Sequence, residues 1–286
     1  MILLTGATGT VGFEIAGLLD RQGLAAKALV RSPEAAEKLA GLGHIVPVRG
    51  DLDDAASLAA ALEGVETAFL LTRSSERAEA QQLGFVAAAK AAGVRHIVKL
   101  SQVHADLASP VRFLRYHAVV EAAIKASGMA YTMLRANLFM QEMLAFREPI
   151  RQQGRIFAPI GEAAVSLVDV RDLAEVAVAA LTGPGHEGRT YDLTGPEALS
   201  HAELADRIGR AIGRRIEFVQ LAPEQMRQIM LSYNFPEWQT DGLIEDYAHY
   251  DRGEAAAISG DIEAVTGRKA RSFEVFLGDY GDRLRG

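Results

Sequence analysis

The sequence predicts a doubly wound parallel α/β fold with a smaller C-terminal α/β lobe, and three observations carry that prediction. Strand-length apolar runs alternate with Ala-rich, helix-length stretches through the first half of the chain. Glycines fall where each helical stretch should stop. The first apolar run leads straight into glycines at 6, 9 and 12, and an amphipathic stretch follows at once. Alternation of this kind, with short connectors, demands a parallel sheet covered by helices on both faces. At 286 residues, 49% hydrophobic and 23% charged, the chain can bury a large core, as one domain or a domain with a lobe.

Taken in order, strands are expected at 2–4, 25–30, 45–48, 67–71, 95–100 and 130–134, where apolar and β-branched residues cluster. Helices are expected near 11–22, 33–42, 54–62, 76–92 and 111–127. Gly23, Gly43, Gly64, Gly93 and Gly128 stand at their ends. Beyond residue 135 the rhythm loosens. Residues 137–151 read as a helix, 155–168 as a short hairpin around Pro159-Ile160-Gly161, 170–181 as a helix and 190–193 as a strand. From Ser200 the pattern predicts two or three helices with irregular links. Met226, Met230, Phe235, Trp238 and Tyr247 cluster there, either as a substrate pocket or as the core of a lobe. The expected organisation is a first domain over 1–135, with 164–195 returning to it, and a smaller substrate lobe from 136–163 and 196–286.

Charge and composition exclude several function classes. The net charge is −7 and no long basic run exists, which argues against a nucleic-acid partner or an anionic membrane surface. The short cluster Gly267-Arg268-Lys269-Ala270-Arg271 reads as a solvated turn. Cysteine is absent, so thiolate chemistry is excluded, and the composition suits a reducing cytoplasm. No apolar run approaches the roughly 18 residues of a membrane span. With the first strand expected at Ile2, no signal peptide is expected. The seven histidines are scattered, without metal-ligand spacing.

Strand, Gly-rich turn and helix, in that order, form the context of a dinucleotide-phosphate site. Gly6 permits the tight turn, Gly9 lets a pyrophosphate approach the backbone, and Gly12 lets helix and strand pack closely. The helix N-terminus offers unpaired N–H groups and partial positive charge to phosphate. In a doubly wound sheet the ligand sits at the carboxyl ends of the strands. The residues collected there are Gly6 to Gly12, with Thr8, Thr10 and Val11; Val30-Arg31-Ser32; Gly50-Asp51-Leu52; Leu71-Thr72-Arg73; Ser101-Gln102; and Arg135-Ala136-Asn137. An NAD site usually carries an acid at the tip of the second strand. Here the tip is Arg31-Ser32-Pro33. A guanidinium attracts a 2′-phosphate that a carboxylate would repel, so NADP(H) is the expected cofactor. Asp51 is placed to receive the adenine amino group, or to open a helix with Asp53 and Asp54.

These residues resemble the NmrA-like branch of atypical short-chain dehydrogenases/reductases. The resemblance is carried by Thr5-Gly-Ala-Thr-Gly-Thr-Val-Gly12, Val30-Arg31-Ser32-Pro33, Gly50-Asp51-Leu52, Tyr131-Thr-Met-Leu-Arg135, Val168-Asp-Val-Arg-Asp-Leu-Ala174 and Thr266-Gly-Arg-Lys269. It spans nearly the whole chain and is strongest toward the bacterial quinone reductase and triphenylmethane dye reductase type. It implies a Rossmann domain, a small C-terminal lobe and NADP(H) bound between them. It also implies that Ser101-Gln102 and Asn137 to Phe139 lie near the nicotinamide. The same family contains reductases and catalytically silent redox sensors.

The Tyr-x-x-x-Lys pair of short-chain dehydrogenases is absent. On the 111–127 helix, His117 and Glu121 stand one turn apart where Tyr and Lys would align, and Tyr116 is one position off with Val120 four residues on. This argues against alcohol dehydrogenation and epimerisation. Quinones and cationic dyes need less, because hydride arrival leaves a weakly basic product that water or an imidazole can protonate. His117 is therefore the candidate acid and Ser101 the candidate hydrogen-bond donor to ribose or substrate. The alternative for His117 and Glu121 is a mutual ion pair or separate surface groups. The expectation is a cytoplasmic NADPH-dependent reductase of a quinone-like or other conjugated small-molecule electron acceptor, with a homodimer allowed. The rival is a non-catalytic NADP(H)-binding sensor acting through protein partners.

Overall fold

The computed structural model describes residues 1–285, and the chain divides into two compact units. One unit comprises residues 1–108, 114–135 and 170–191; the other comprises 109–113, 136–169 and 192–286, described as far as residue 285.

The first unit is built in sequence order from β1 (Ile2–Leu4), α1 (Thr10–Arg21), β2 (Ala26–Val30), α2 (Pro33–Glu37), β3 (Ile45–Arg49), α3 (Ala55–Leu62), β4 (Thr67–Leu70), α4 (Ala78–Ala91), β5 (His96–Gln102), α5 (Arg112–Ala126) and β6 (Ala130–Ala136). The helix α5 starts in the other unit and continues into this one. The central sheet has seven strands in the order β3-β2-β1-β4-β5-β6-β9, where β9 is Arg189–Leu193. The pairs from β3 through β5 are parallel, with Ile2 opposite Ala26 on one side and Thr67 on the other. The chain thus winds outward from β1 to β3, returns past β1 and continues the other way from β4. The switch point lies between β1 and β4, where ligands of such sheets sit.

Residue types explain the layers. Phe69, Leu70, Ile97 and Val98 are fully buried, the continuous apolar runs expected of strands covered on both faces. One face is closed by Leu58 and Leu62 of α3, Phe85 and Ala89 of α4, and Val120 and Ile124 of α5, packed on Leu3, Ala68 and Ile97. Each of the Leu, Ile, Val and Phe side chains contributes roughly 1.5–3 kcal/mol by leaving water. Elsewhere in the same unit α1 packs on α7 (Val170–Thr182). Val11, Ile15, Ala16 and Leu19 of α1 and Leu173, Val176, Ala177 and Ala180 of α7 are buried.

The second unit follows β6 with a 3-10 turn at Met140–Phe146, then α6 (Arg147–Gln153), β7 (Arg155–Ala158) and β8 (Ala164–Val165). After β9 come β10 (Leu199–Ser200), α8 (His201–Ile212), β11 (Glu217–Gln220), α9 (Pro223–Ser232), α10 (Glu237–Asp251), α11 (Asp261–Thr266) and α12 (Phe273–Arg285). Its core gathers Ile156, Leu204, Ile208, Phe273 and Phe276, among others. The helix α8 starts with a capping box in which Ser200 accepts from the Glu203 N–H and the Glu203 carboxylate accepts from the Ser200 N–H.

The structure departs from four expectations. Residues 137–139 are extended, with Phe139 bridging Val168, so the expected 137–151 helix starts three residues later as a 3-10 turn. The expected hairpin at 155–168 does not form. The strand β7 pairs in parallel with β11 and β8 pairs antiparallel with β10, because Ile156 and Ala158 are drawn into the unit's core and Gly161, at φ 64°, turns the chain away. Five helices, not two or three, follow Ser200 among the described residues. The stretch 33–42 is helical only over Pro33–Glu37. Among the described residues no helix is long and apolar enough to cross a membrane.

Candidate active site

The turn after β1 is tied to the end of β4. The Leu71 N–H donates to Thr5 Oγ1 (2.8 Å), and the Thr5 hydroxyl reaches the Leu71 carbonyl (2.8 Å). The glycines have separate jobs. Gly6 turns with φ 65°, beside Leu71. A Cβ on Gly12 would lie 2.1 Å from the Gly6 carbonyl oxygen, so no side chain fits between turn and helix. A Cβ on Gly9 would meet only that same oxygen, at 3.3 Å. Gly9 is also the N-cap of α1, with no side-chain cap and no acid in the first turn. The first N–H groups of a helix lack intrahelical partners. An uncapped, acid-free helix start behind a side-chain-free turn fits the pyrophosphate of a dinucleotide. Thr8 is half-buried, Thr10 exposed and Val11 buried along this edge.

Other strand-end residues surround the same end of the sheet. Arg31, just past β2, is exposed and has no hydrogen bond or ion pair among the described residues. Asp51 is half-buried, and its carboxylate accepts from the Asp53 N–H (3.0 Å). Asp54 is the helix opener, capping α3 through the N–H groups of Ala56 and Ser57. Leu52 packs on the apolar core of the unit. Thr72 accepts from the Gln82 side chain at 2.7 Å.

The end of β5 holds a network that the sequence did not reveal. Glu121, 2% exposed, lies under Ser101 and Arg135. Ser101 Oγ donates to Glu121 Oε1 (2.6 Å), and Arg135 grips both carboxylate oxygens (3.0 and 2.7 Å). Burial alone would raise the Glu121 carboxyl. The hydrogen bonds from Arg135 and Ser101, with the charges of Arg135 and Lys99, outweigh burial and lower it. The carboxylate is therefore ionised, and the single Ser101 proton is committed to it. Ser101 can only accept from a ligand, which corrects its expected role as a donor.

His117 is corrected too. It does not pair with Glu121; its Nδ1 lies 2.9 Å from Lys99 Nζ. Burial and the Lys99 charge hold its pKa well below the ordinary imidazole value, which disfavours an imidazolium acid near neutral pH. Lys99 is completely buried and also donates to the Leu100 carbonyl (3.0 Å). Burial pushes its pKa down to about 7, against the raising effect of Glu121. Tyr116 stacks beside His117 at 4.2 Å, and its hydroxyl meets Ser74. Lys99 was missed because it lies inside an apolar run. The signal available was its place two residues before Ser101, on the same strand face. Gln102 closes β5, half-buried.

Asn137 and Phe139 belong to the second unit. The Asn137 amide donates both protons within it, to Ser166 Oγ (2.8 Å) and the Ala255 carbonyl (2.9 Å), and its oxygen accepts from the Leu138 N–H. Its side chain thus braces that unit. Phe139 is half-buried. The aromatic segment also divides. Met230 is buried and Tyr247 packs on the core, Trp238 lies beside Phe113 at 5.5 Å, and Phe235 is 43% exposed. Among the described residues no cluster of His, Asp or Glu could hold a metal ion.

Known proteins resemble this one over nearly the whole chain. The chain is 39% identical over 276 residues to an NAD(P)H azoreductase of Xenophilus azovorans, covering 96% of each protein. The structure superposes on an NADPH-dependent quinone oxidoreductase of Escherichia coli complexed with NADPH, with a TM-score of 0.88 and 27% identity, covering 98% of this chain and 99% of the other. A Citrobacter sp. triphenylmethane reductase complexed with NADP(H) matches with a TM-score of 0.87 and 25% identity, at 98% and 99% coverage. The NmrA-like family model matches residues 1–277, and with the seven-stranded switch-point sheet and the Gly6 to Gly12 turn in place, the chain belongs to the NmrA-like family.

Proposed function

We propose that this protein is an NADPH-dependent reductase of conjugated small molecules, quinones, azo compounds or cationic dyes among them. The observation that carries the reading is the side-chain-free, uncapped start of α1 at the β1/β4 switch point, with the unpaired Arg31 on the neighbouring strand end. Bound NADPH would supply the hydride. The N–H groups at the start of α1 would hold its pyrophosphate, and Arg31 its 2′-phosphate. Ser101, with its proton held by Glu121, would accept a hydrogen bond from a ribose hydroxyl or an amide N–H. Leu71 and Thr72 would flank the same turn, and Asp51 would keep one carboxylate edge for the adenine amino group.

The substrate class is supported by the proton inventory. Neither Ser101 nor His117 is a free acid at neutral pH. Such a site suits quinones and cationic dyes directly, because hydride delocalises into a ring or meets a cation and leaves little basicity to neutralise. Positioning the acceptor then contributes most of the rate. The names of the relatives support the same class, since they act with NAD(P)H or NADPH on azo and quinone substrates. Steady oxidation of NADPH in the presence of a naphthoquinone, an azo dye or a triphenylmethane dye tests the reading. Tight NADPH binding without turnover on any of the three would favour a redox sensor.

A further inference from the structure

Two groups in the first unit are not used by the cofactor-binding roles assigned above: a sealed lysine and the imidazole against it. Lysine is almost never fully buried without a carboxylate partner. Lys99 is 0% exposed, yet its bonding partners are a main-chain carbonyl and His117 Nδ1; the Glu121 carboxylate is occupied by Ser101 and Arg135. An ammonium has only donors. While Lys99 is charged, His117 Nδ1 must accept and the ring proton must sit on Nε2. His117 is half-buried, and Nε2 has no partner among the described residues, so that nitrogen is the edge solvent reaches.

Resting on the reductase reading, we propose that Lys99 and His117 form a proton relay for acceptors whose reduction creates a basic atom, with Lys99 as the store and the neutral His117 ring as the conduit. For an azo group, hydride adds to one nitrogen and the π pair moves to the other. That nitrogen takes the proton from His117 Nε2. In the same motion Nδ1 takes a proton from Lys99 Nζ. The acceptor is reduced by two electrons, the cofactor is oxidised by two, and the proton deficit ends on Lys99 as a neutral amine. A solvent proton arriving at Nε2 lets Nδ1 return its own to Lys99. His117 is never an imidazolium, so its inability to charge does not impede it.

The surroundings suit the store. On α5, Glu121 favours the charge of Lys99, while the Tyr116 hydroxyl is bonded to Ser74 beyond β4. On β6, Arg135 pairs with Glu121, and on α5 Lys125 lies 3.9 Å from the same carboxylate. With its pKa near 7, Lys99 can release and recover a proton at physiological pH, the matching a general acid needs.

Two measurements test the relay on the full-length protein with NADP+ bound. The first is long-range 1H–15N NMR of the His117 ring at about pH 6, where an unpartnered histidine of pKa ~6.5 would charge. A neutral ring carrying its proton on Nε2 supports the relay; an imidazolium, or a proton on Nδ1, overturns it. The second compares acceptors. Lys99→Met and His117→Phe should each slow an azo dye at least about tenfold more than a cationic triphenylmethane dye, the low edge of general acid catalysis. The double variant should be no slower than either single one, because the two act as one chain. Equal losses on both dyes overturn the relay and leave Lys99 a structural role. Wild-type protein that binds NADPH but reduces neither dye overturns the reductase reading and the relay with it, an outcome separate from the first.

Discussion

Lys99 sets a pH dependence on the fold itself. An unfolded lysine titrates near 10.5, and the folded one near 7. Between those values the unfolded chain binds the extra proton, so stability rises with pH. The displacement is worth at most about 5 kcal/mol at about 1.4 kcal/mol per pH unit. Lys99→Met removes this dependence. Urea midpoints of wild type and Lys99→Met measured across the window should show the wild type gaining on the variant as pH rises above neutrality. A constant difference would mean that burial does not depress the Lys99 pKa. Arg31 makes the opposite kind of prediction, since it is exposed and acts only on a ligand. Arg31→Ala should weaken NADPH by about 1–3 kcal/mol, the range for a charged hydrogen bond, and leave NADH unchanged; calorimetry of both cofactors decides. The place of Arg31 was legible in the sequence because it is local, at the tip of one strand. His117 and Glu121 were not, because the one-turn spacing that suggested a pair lost to partners on other strands: Lys99 for one, Ser101 and Arg135 for the other.

The β1–turn–α1 element separates two effects that one glycine substitution usually mixes. At Gly12 any Cβ collides with the Gly6 carbonyl, so Gly12→Ala should lose roughly 1–3 kcal/mol or more of stability through overpacking. At Gly9 the backbone is extended, with φ −88°, and only one atom lies near. Gly9→Ala should therefore melt within a few degrees of wild type and still bind NADPH at least about tenfold more weakly, a change of about 1.4 kcal/mol. Normal NADPH binding by Gly9→Ala would place the pyrophosphate elsewhere. The strands β1 to β6 were readable because each apolar run is short, bounded by glycine and satisfied by the neighbour that βαβ winding supplies. The run at 155–168 has the same local look, but its partners β10 and β11 come from residues 199–220, and no local pattern announces them. Similarly, the Asn137 amide is held by Ser166 and Ala255, contacts that only tertiary structure creates.

At the scale of the molecule, both units are assembled from separated stretches of chain, with crossings at residues 108/109, 113/114, 135/136, 169/170 and 191/192. A fragment ending at residue 135 keeps β1 to β6 nearly whole but lacks α7 and β9. Circular dichroism and limited proteolysis of that fragment should find no stable fold, since the buried stripe of α1 then faces water. A cooperative melting transition from it would show that α7 is dispensable. The alternation along the first half was enough to foresee the sheet, and the strand read at 190–193, in a stretch expected to return to the first domain, is its last strand, β9. The same arrangement has a consequence in time. On the ribosome, residues 136–169 must be made before α7 exists, and at about 5–20 residues per second that takes roughly 2–7 s. Throughout that interval the nascent chain displays Val11, Ile15 and Leu19 uncovered, a sticky surface for chaperones or for neighbouring chains. Codon choice across 136–169, a stretch that contributes nothing to the waiting unit, therefore sets how long that exposure lasts.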